Sequence, residues 1–362
     1  MSITNRLTKL RETMEPSGVD AVWVSQPENR RYMSGFTGSA GSLFITAESA
    51  MLATDSRYTE QAGDQSPEYQ IVHMAGPGSD WFKEMLASMG NAKRVGFEET
   101  YVTVATHRRL VELCGEAGKE LVPMSDTIEM IRSVKDEAER EALITAIRIT
   151  DEAFVEVRDG LEPGVSEKDV AWRIEKAMRE RGAEALAFES IVASGPHGAR
   201  AHHRPSDEPI AVGAPIVMDI GARFDGYHAD MTRTICIGDY DDQFRRIYDI
   251  VLTAQETAIA TIEEGMTGDQ ADALARDIIE KAGHGPEFGH SLGHGVGLAI
   301  HEYPRVAKRA PDVLTKGMIF TVEPGIYITG WGGVRIEDIV EFRDGRCQSL
   351  SKAPKINVKN GS

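Results

Sequence analysis

The chain is poor in cysteine, short of basic charge and free of long apolar runs. Its three cysteines, Cys114, Cys236 and Cys347, stand far apart in 362 residues with no CxxC pair. That argues against a disulfide framework and for a reducing, cytoplasmic setting, with each cysteine a small buried apolar side chain. No apolar stretch approaches the roughly 20 residues that cross a bilayer, so no membrane partner is expected. The opening MSITNRLTKLRETMEPSG is polar and amphipathic and lacks the apolar core of a secretory signal. Against 57 Asp+Glu stand only 40 Lys+Arg, a net charge of −17. A nucleic-acid partner, which needs a basic footprint, is therefore not expected. There is also no GxSxG elbow and no candidate Cys–His pair, so the chain offers no protein nucleophile for hydrolysis.

What is present divides into two domains, which the length allows. Residues 1–130 alternate helix and strand signals. Residues 3–15 read as an amphipathic helix. AVWVS (21–25), SLFIT, AMLAT, YQIVHM and RVGFE read as strands. Helices are expected after Asp55, from Asp80 and through Thr106–Ala117. This is α/β patterning. Residues 131–362 form the second domain, which opens on the charged stretch IRSVKDEAEREALITAIRITDEAFVEV. With no Pro/Gly/Ser linker at the junction, one helix is expected to lead straight into it.

The second domain reads as a diverged duplication. DGLEPGVSEKDVAWRIEKAM and EEGMTGDQADALARDIIEKAG each give a Gly-flanked turn and then a helix. Each is followed by Gly, five residues and an acid: Gly213 to Asp219, and Gly317 to Glu323. A second acid follows in each half, Asp230 and Glu337. A pseudo-two-fold repeat of this kind gathers four carboxylates at its axis, on a curved sheet with helices outside.

Acids set on strands among Ile216, Val217, Met218 and Ile220 are costly to bury unless paired or metal-bound. A hairpin of 216–220 with 228–235, turning at Asp225-Gly226, lets Asp219 and Asp230 face one pocket. His294 sits between Gly293 and Gly295, where the backbone can come close, and His290 and His301 lie near it. Four carboxylates and one imidazole suit manganese, cobalt, iron or zinc better than a structural zinc site. They exceed the needs of one ion. Two divalent ions sharing carboxylates and an activated water account for the excess and point to metal-assisted hydrolysis of an amide or ester.

These motifs resemble a known family. D-I-G…H-A-D-M-T-R-T, G-H-G-V-G-L…H-E-Y-P-R, V-E-P-G-I-Y and V-R-I-E-D, spanning roughly residues 130–345, are similar to the pita-bread-fold metallopeptidases, among them methionine aminopeptidase, prolidase and aminopeptidase P. R-Y-M-S-G-F-T-G-S-A-G and T-D-S-R-Y-T-E-Q-A resemble the creatinase-type N-terminal domain of prolidase and aminopeptidase P, which methionine aminopeptidases usually lack. The resemblance implies an α+β pita-bread catalytic domain and an Xaa-Pro peptidase. It implies Asp219 on one ion, His294 and Glu323 on the other, and Asp230 and Glu337 on both. Glu323 would also handle the proton of the attacking water. His202, with His203 adjacent to it, matches a substrate-site histidine. His290 and His301 match the two that would hold the scissile carbonyl and the tetrahedral intermediate, and Arg335 supports the last ligand. Manganese is the expected metal, proline-containing dipeptides or short peptides the expected partners, and a homodimer the expected assembly.

Arg305, in H-E-Y-P-R, matches the position where prolidases offer a cation to the substrate's C-terminal carboxylate, whereas G-F-T-G-S-A-G looks more like aminopeptidase P. Dipeptidase and aminopeptidase both stay open. Two other readings on the same fold, a metal-free amidinohydrolase like creatinase and a non-catalytic peptide-binding module, are disfavoured because relatives of those kinds lose ligands or pocket histidines.

Overall fold

The computed structural model describes residues 2–75, 80–343 and 345–356. The end of the expected second domain, residues 357–362, lies outside them. The chain divides into two compact units, Met1–Arg132 and Ser133–Ser362.

In the first unit, strands Ala21–Val24, Ser42–Thr46 and Ala50–Thr54 are buried at every position. Burial on both faces is what AVWV, SLFIT and AMLAT require, since they do not alternate with polar residues. The six-stranded sheet runs Gln70–His73, Ala50–Thr54, Ser42–Thr46, Ala21–Val24, Arg94–Glu98, Glu120–Met124. Ser42–Thr46 pairs antiparallel with both its neighbours, and the other three pairings are parallel. Helices Ile3–Met14, Thr59–Gln65, Asp80–Ala87 and Val104–Glu116 correspond to those expected. Two elements escape the sequence pattern, helix Pro27–Ser34 and strand Glu120–Met124. That helix opens on a proline and stops at Gly35, whose φ of 76° lets its N–H turn back to the Arg31 carbonyl.

The expected single helix into the second unit is a correction. Helix Thr127–Ser133 ends, Val134 makes a bridge to Met318, and a new helix, Glu137–Asp159, begins. Asp136 imposes the break. Its carboxylate accepts from the N–H groups of Ala138 and Glu139, and the Glu139 side chain accepts from the Asp136 N–H. Apolar spacing continues through the junction, so periodicity alone hides the stop.

The duplication is visible in the topology. Helices Glu137–Asp159 and Glu167–Glu180 precede an antiparallel sheet of order Met231–Ile235, Ile216–Ile220, Ile191–Ser194. Helices Asp242–Thr261 and Gly268–Lys281 precede the matching order Asp338–Arg343, Ile319–Val322, Gly293–Gly295, flanked by edge strands Glu302–Val306 and Arg346–Ser349. Ser166 and Thr267 cap the second helix of each half and bridge to Pro209 and Val313 respectively. Gly213 and Gly317 both take positive φ, 75° and 87°. Each half has its own core, around Phe154, Ile174 and Met218 in the first and Tyr248, Ile279 and Phe320 in the second. The hairpin that carries the two aspartates pairs Asp219 with Thr232 and turns at Asp225-Gly226, with φ of 45° and 73°.

Candidate metal centre

Four strand ends and one strand centre supply the five predicted ligands. Asp219 lies on Ile216–Ile220, and Asp230 immediately precedes Met231–Ile235. Glu323 immediately follows Ile319–Val322, and Glu337 sits between Gly332–Arg335 and Asp338–Arg343. His294 is the middle residue of Gly293–Gly295. All five line one cavity of about 320 Å³, together with His202, His290, His301, Tyr327 and Arg335. His294 Nε2 stands 3.4 Å from Glu323 Oε1 and 3.6 Å from Asp230 Oδ2. Asp230, His294 and Glu337 each bring a ligand atom within 4.8 Å of the others.

The glycines beside His294 are needed by its neighbours. A Cβ on Gly293 would strike the Thr321 carbonyl, and one on Gly295 the Tyr303 carbonyl. The strand therefore lies against its partners as only glycine permits. The Thr321 hydroxyl accepts from the His294 N–H at 3.1 Å and donates to Glu323 Oε1 at 3.2 Å. Nδ1 of His294 lies 3.1 Å from the Gly295 carbonyl, to which it donates in the tautomer that leaves Nε2 free toward the acids. Burial first, and then His301 beside it, pushes the His294 imidazole down to about 4, so it is neutral and able to ligate at neutral pH.

The carboxylates tell the same story from the other side. Burial, followed by repulsion from the neighbouring acids, raises Asp230 and Glu323 well above the carboxylate range and Glu337 to about 8. Among the described residues, Arg335 is the guanidinium that bonds a ligand carboxylate of this cavity. Arg335 donates to Asp219 Oδ2 at 2.6 Å, to the Thr232 hydroxyl at 2.8 Å and to the Tyr327 hydroxyl at 2.6 Å. Thr232 in turn donates to Glu337 Oε2 at 2.6 Å. The other oxygen of Asp219, Oδ1, is buried and has no hydrogen-bond partner. An excess of buried negative charge, an orphaned carboxylate oxygen and a free imidazole nitrogen are the donor set that divalent cations fit.

Around the ligands stand the pocket groups. His290 Nε2 lies 3.0 Å from the Tyr327 hydroxyl, and burial, then Arg335, pushes its imidazole down to about 4. Burial also lowers His301, whose ring meets that of His294 edge-on at 4.2 Å. His202 lines both this cavity and an adjoining one of about 420 Å³ walled by Phe188, Ile191 and Ile300. His203 instead turns its Nε2 to Glu167, at 2.9 Å. Arg305 is not brought to the site. It pairs with Asp312 at 2.8 Å, its side chain is 56% exposed, and among the described residues it lines neither cavity, although its backbone pairs opposite His294. Sequence reasoning missed Tyr327 and Thr232, whose hydroxyls join Arg335 to His290 and Glu337. Both lie inside motifs already singled out, V-E-P-G-I-Y and H-A-D-M-T, but only folded contacts give them a role, Tyr327 with His290 and Arg335, and Thr232 with Arg335 and Glu337.

Residues 141–344 match metallopeptidase family M24, more than half of the chain. The chain belongs to metallopeptidase family M24. It is a hydrolase of a family that works with divalent metal. Residues 6–134 of this M24 protein match the creatinase/prolidase N-terminal domain. It is 36% identical over 353 residues to the Xaa-Pro dipeptidase of Pyrococcus furiosus, covering 97% of this chain and 98% of that one. Among solved structures it superposes on an Xaa-Pro dipeptidase from Bacillus anthracis with a TM-score of 0.93 and 40% identity, covering 98% and 99%. It also superposes on an X-Pro aminopeptidase from Thermotoga maritima with a TM-score of 0.86 and 37% identity, covering 95% and 99%. The pita-bread fold and the creatinase-type N-terminal domain are thus those the motifs implied, and the binding-module and amidinohydrolase readings are not favoured.

Proposed function

We propose that this M24 protein hydrolyses the peptide bond before proline at the N-terminus of dipeptides or short peptides, with two divalent ions, manganese foremost. Asp219, Asp230, His294, Glu323 and Glu337 would hold these ions, as the motif resemblance implies. When bound, such ions make a water acidic enough to attack a carbonyl near neutral pH. The chain does the rest. Glu323, with Oε1 held by Thr321, takes the proton of that water and passes it to the departing proline nitrogen. His290 and His301, held neutral by burial, stabilise the scissile carbonyl and the charge that grows on it. His202 binds the peptide where the two cavities meet. Arg335 keeps Asp219 aimed at its ion. A bond to proline has no amide N–H, so the pocket needs no acceptor for one.

The observation that carries this is the convergence of five ligands and three histidines on one cavity. The names of the relatives support proline as the residue after the cut. Arg305, opposite His294 in the sheet, is the proposed cation for a dipeptide's carboxylate, and Asp312 holds it until substrate arrives. The unpaired cysteines go with a reducing cytoplasm, and a homodimer is proposed on the family resemblance alone. The test is a cleavage panel of Xaa-Pro dipeptides, Xaa-Pro-Xaa tripeptides and matched peptides without proline, with manganese added. Cleavage confined to the proline peptides is expected, and equal cleavage of the others would refute it. Arg305→Ala is expected to lose dipeptides and spare tripeptides, and equal loss on both removes Arg305 from the substrate site.

A further inference from the structure

Outside the metal centre, buried Glu167 gathers a second cluster of titratable side chains with His197 and His203. Glu167, the first residue of helix Glu167–Glu180, is 0% exposed and receives five hydrogen bonds. Oε1 accepts from the Ser194 N–H at 2.8 Å and faces His197 Nδ1 at 2.9 Å. Oε2 accepts from the Ser206 N–H at 3.0 Å and the Ser206 hydroxyl at 2.7 Å, and faces His203 Nε2 at 2.9 Å. The two imidazoles stack at 4.3 Å. Every partner comes from residues 194–206, and they straddle His202, two before it and two after.

We infer that Glu167 is a positioning residue, a carboxylate clamp that closes the 194–206 loop from both sides and so presents His202 to the peptide. The rest of the loop's shape comes from its own backbone turns and one close packing contact. It begins as a short 3-10 turn, Gly195–Ala199, and continues through a tight turn in which the His203 N–H bonds the Arg200 carbonyl at 3.0 Å. Gly198 packs so closely on the backbone of Gly333 that a Cβ there would stand 2.9 Å from the Gly333 nitrogen, which pins the loop's outer side. The clamp pins the inner side. Because His202 and His203 are adjacent, fixing the His203 ring on Glu167 sends the His202 side chain the other way, where both cavities meet. The charge on Glu167 is held by its donors: burial alone would raise its pKa, but the Ser194, His203, Ser206 and His197 bonds bring it to about 2. It also sits at a helix N-terminus, where negative charge is favoured. The inference rests on the proposed role of His202.

Two measurements test it. In protein labelled at histidine nitrogen, NMR should find His203 in the Nε2–H tautomer and His197 in the Nδ1–H tautomer, with at least one of them lost in Glu167→Gln, whose amide keeps a single acceptor oxygen. This readout needs no substrate, so it stands even if the peptidase assignment fails. Loss of neither tautomer in Glu167→Gln would overturn the clamp. On an Xaa-Pro dipeptide, Glu167→Gln should lower kcat/KM by about tenfold or more in the wild type and by less than about twofold in a His202→Ala background. Equal losses in both backgrounds would overturn the inference. Should Glu167→Gln not fold, His203 serves instead. A Gln at 203 can donate from the same place as Nε2, so His203→Gln should keep kcat/KM within about threefold while His203→Leu loses about tenfold. Equal loss in the two would count against the clamp.

Discussion

Arg335 and Asp219 join the two halves of the duplicated domain, Nη2 to Oδ2 at 2.6 Å. The bond crosses the axis where the four acids meet, and both side chains are enclosed, 5% and 15% exposed. The same guanidinium holds Thr232 and Tyr327, so one cation ties a ligand from the first half to hydroxyls that support the second. Arg335→Met leaves the acids without their cation and is expected to cost about 3–5 kcal/mol in urea unfolding. Arg335→Lys cannot span three partners and should recover less than half of that loss. Full recovery by lysine would mean that charge alone matters.

Gly293→Ala puts a methyl into the Thr321 carbonyl. The strand that carries His294 must move away, which should cost about 2–3 kcal/mol and weaken metal binding about tenfold or more. Manganese titration followed by calorimetry reads both. Unchanged affinity would show that the close strand contact does not set the position of His294.

The ligands were legible because each lies in a short motif whose burial needs a cation, and because the acids recur in matched halves. Less legible was anything decided by a side chain's direction. Nothing in His202-His203 says which ring meets the cavity; Glu167, thirty-five positions earlier, decides it by holding His203. The stop at Asp136 was hidden because apolar spacing runs on through it. Helix Pro27–Ser34 was marked by its proline and Gly35, but its eight residues give little periodicity. Arg305 looked like a pocket residue from its motif, and Asp312 seven residues on holds it aside.

Glu167 also predicts a pH dependence. Its folded pKa, about 2, lies below its ordinary 4.5. A depressed carboxylate adds stability above 4.5 that is lost as pH falls toward 2. The shift corresponds to about 3 kcal/mol at neutral pH. In metal-free protein, the gap in urea midpoint between wild type and Glu167→Gln should therefore be wide near about pH 6 and narrow near about pH 3. A gap independent of pH would contradict a charged Glu167.

His294→Ala removes the one nitrogen ligand and leaves the acids. Bound metal should fall from two ions per chain to one, with the circular dichroism spectrum kept. Two ions still bound would take His294 out of the ligand set.

The central claim is that metal held by these five side chains cleaves the bond before proline. Its most direct test is hydrolysis of an Xaa-Pro dipeptide by protein stripped with a chelator, its metal content checked by elemental analysis, before and after manganese is returned. No cleavage in the stripped protein, and recovery that saturates as two ions bind per chain, is the expected result. Full cleavage by protein shown to hold no metal would contradict it.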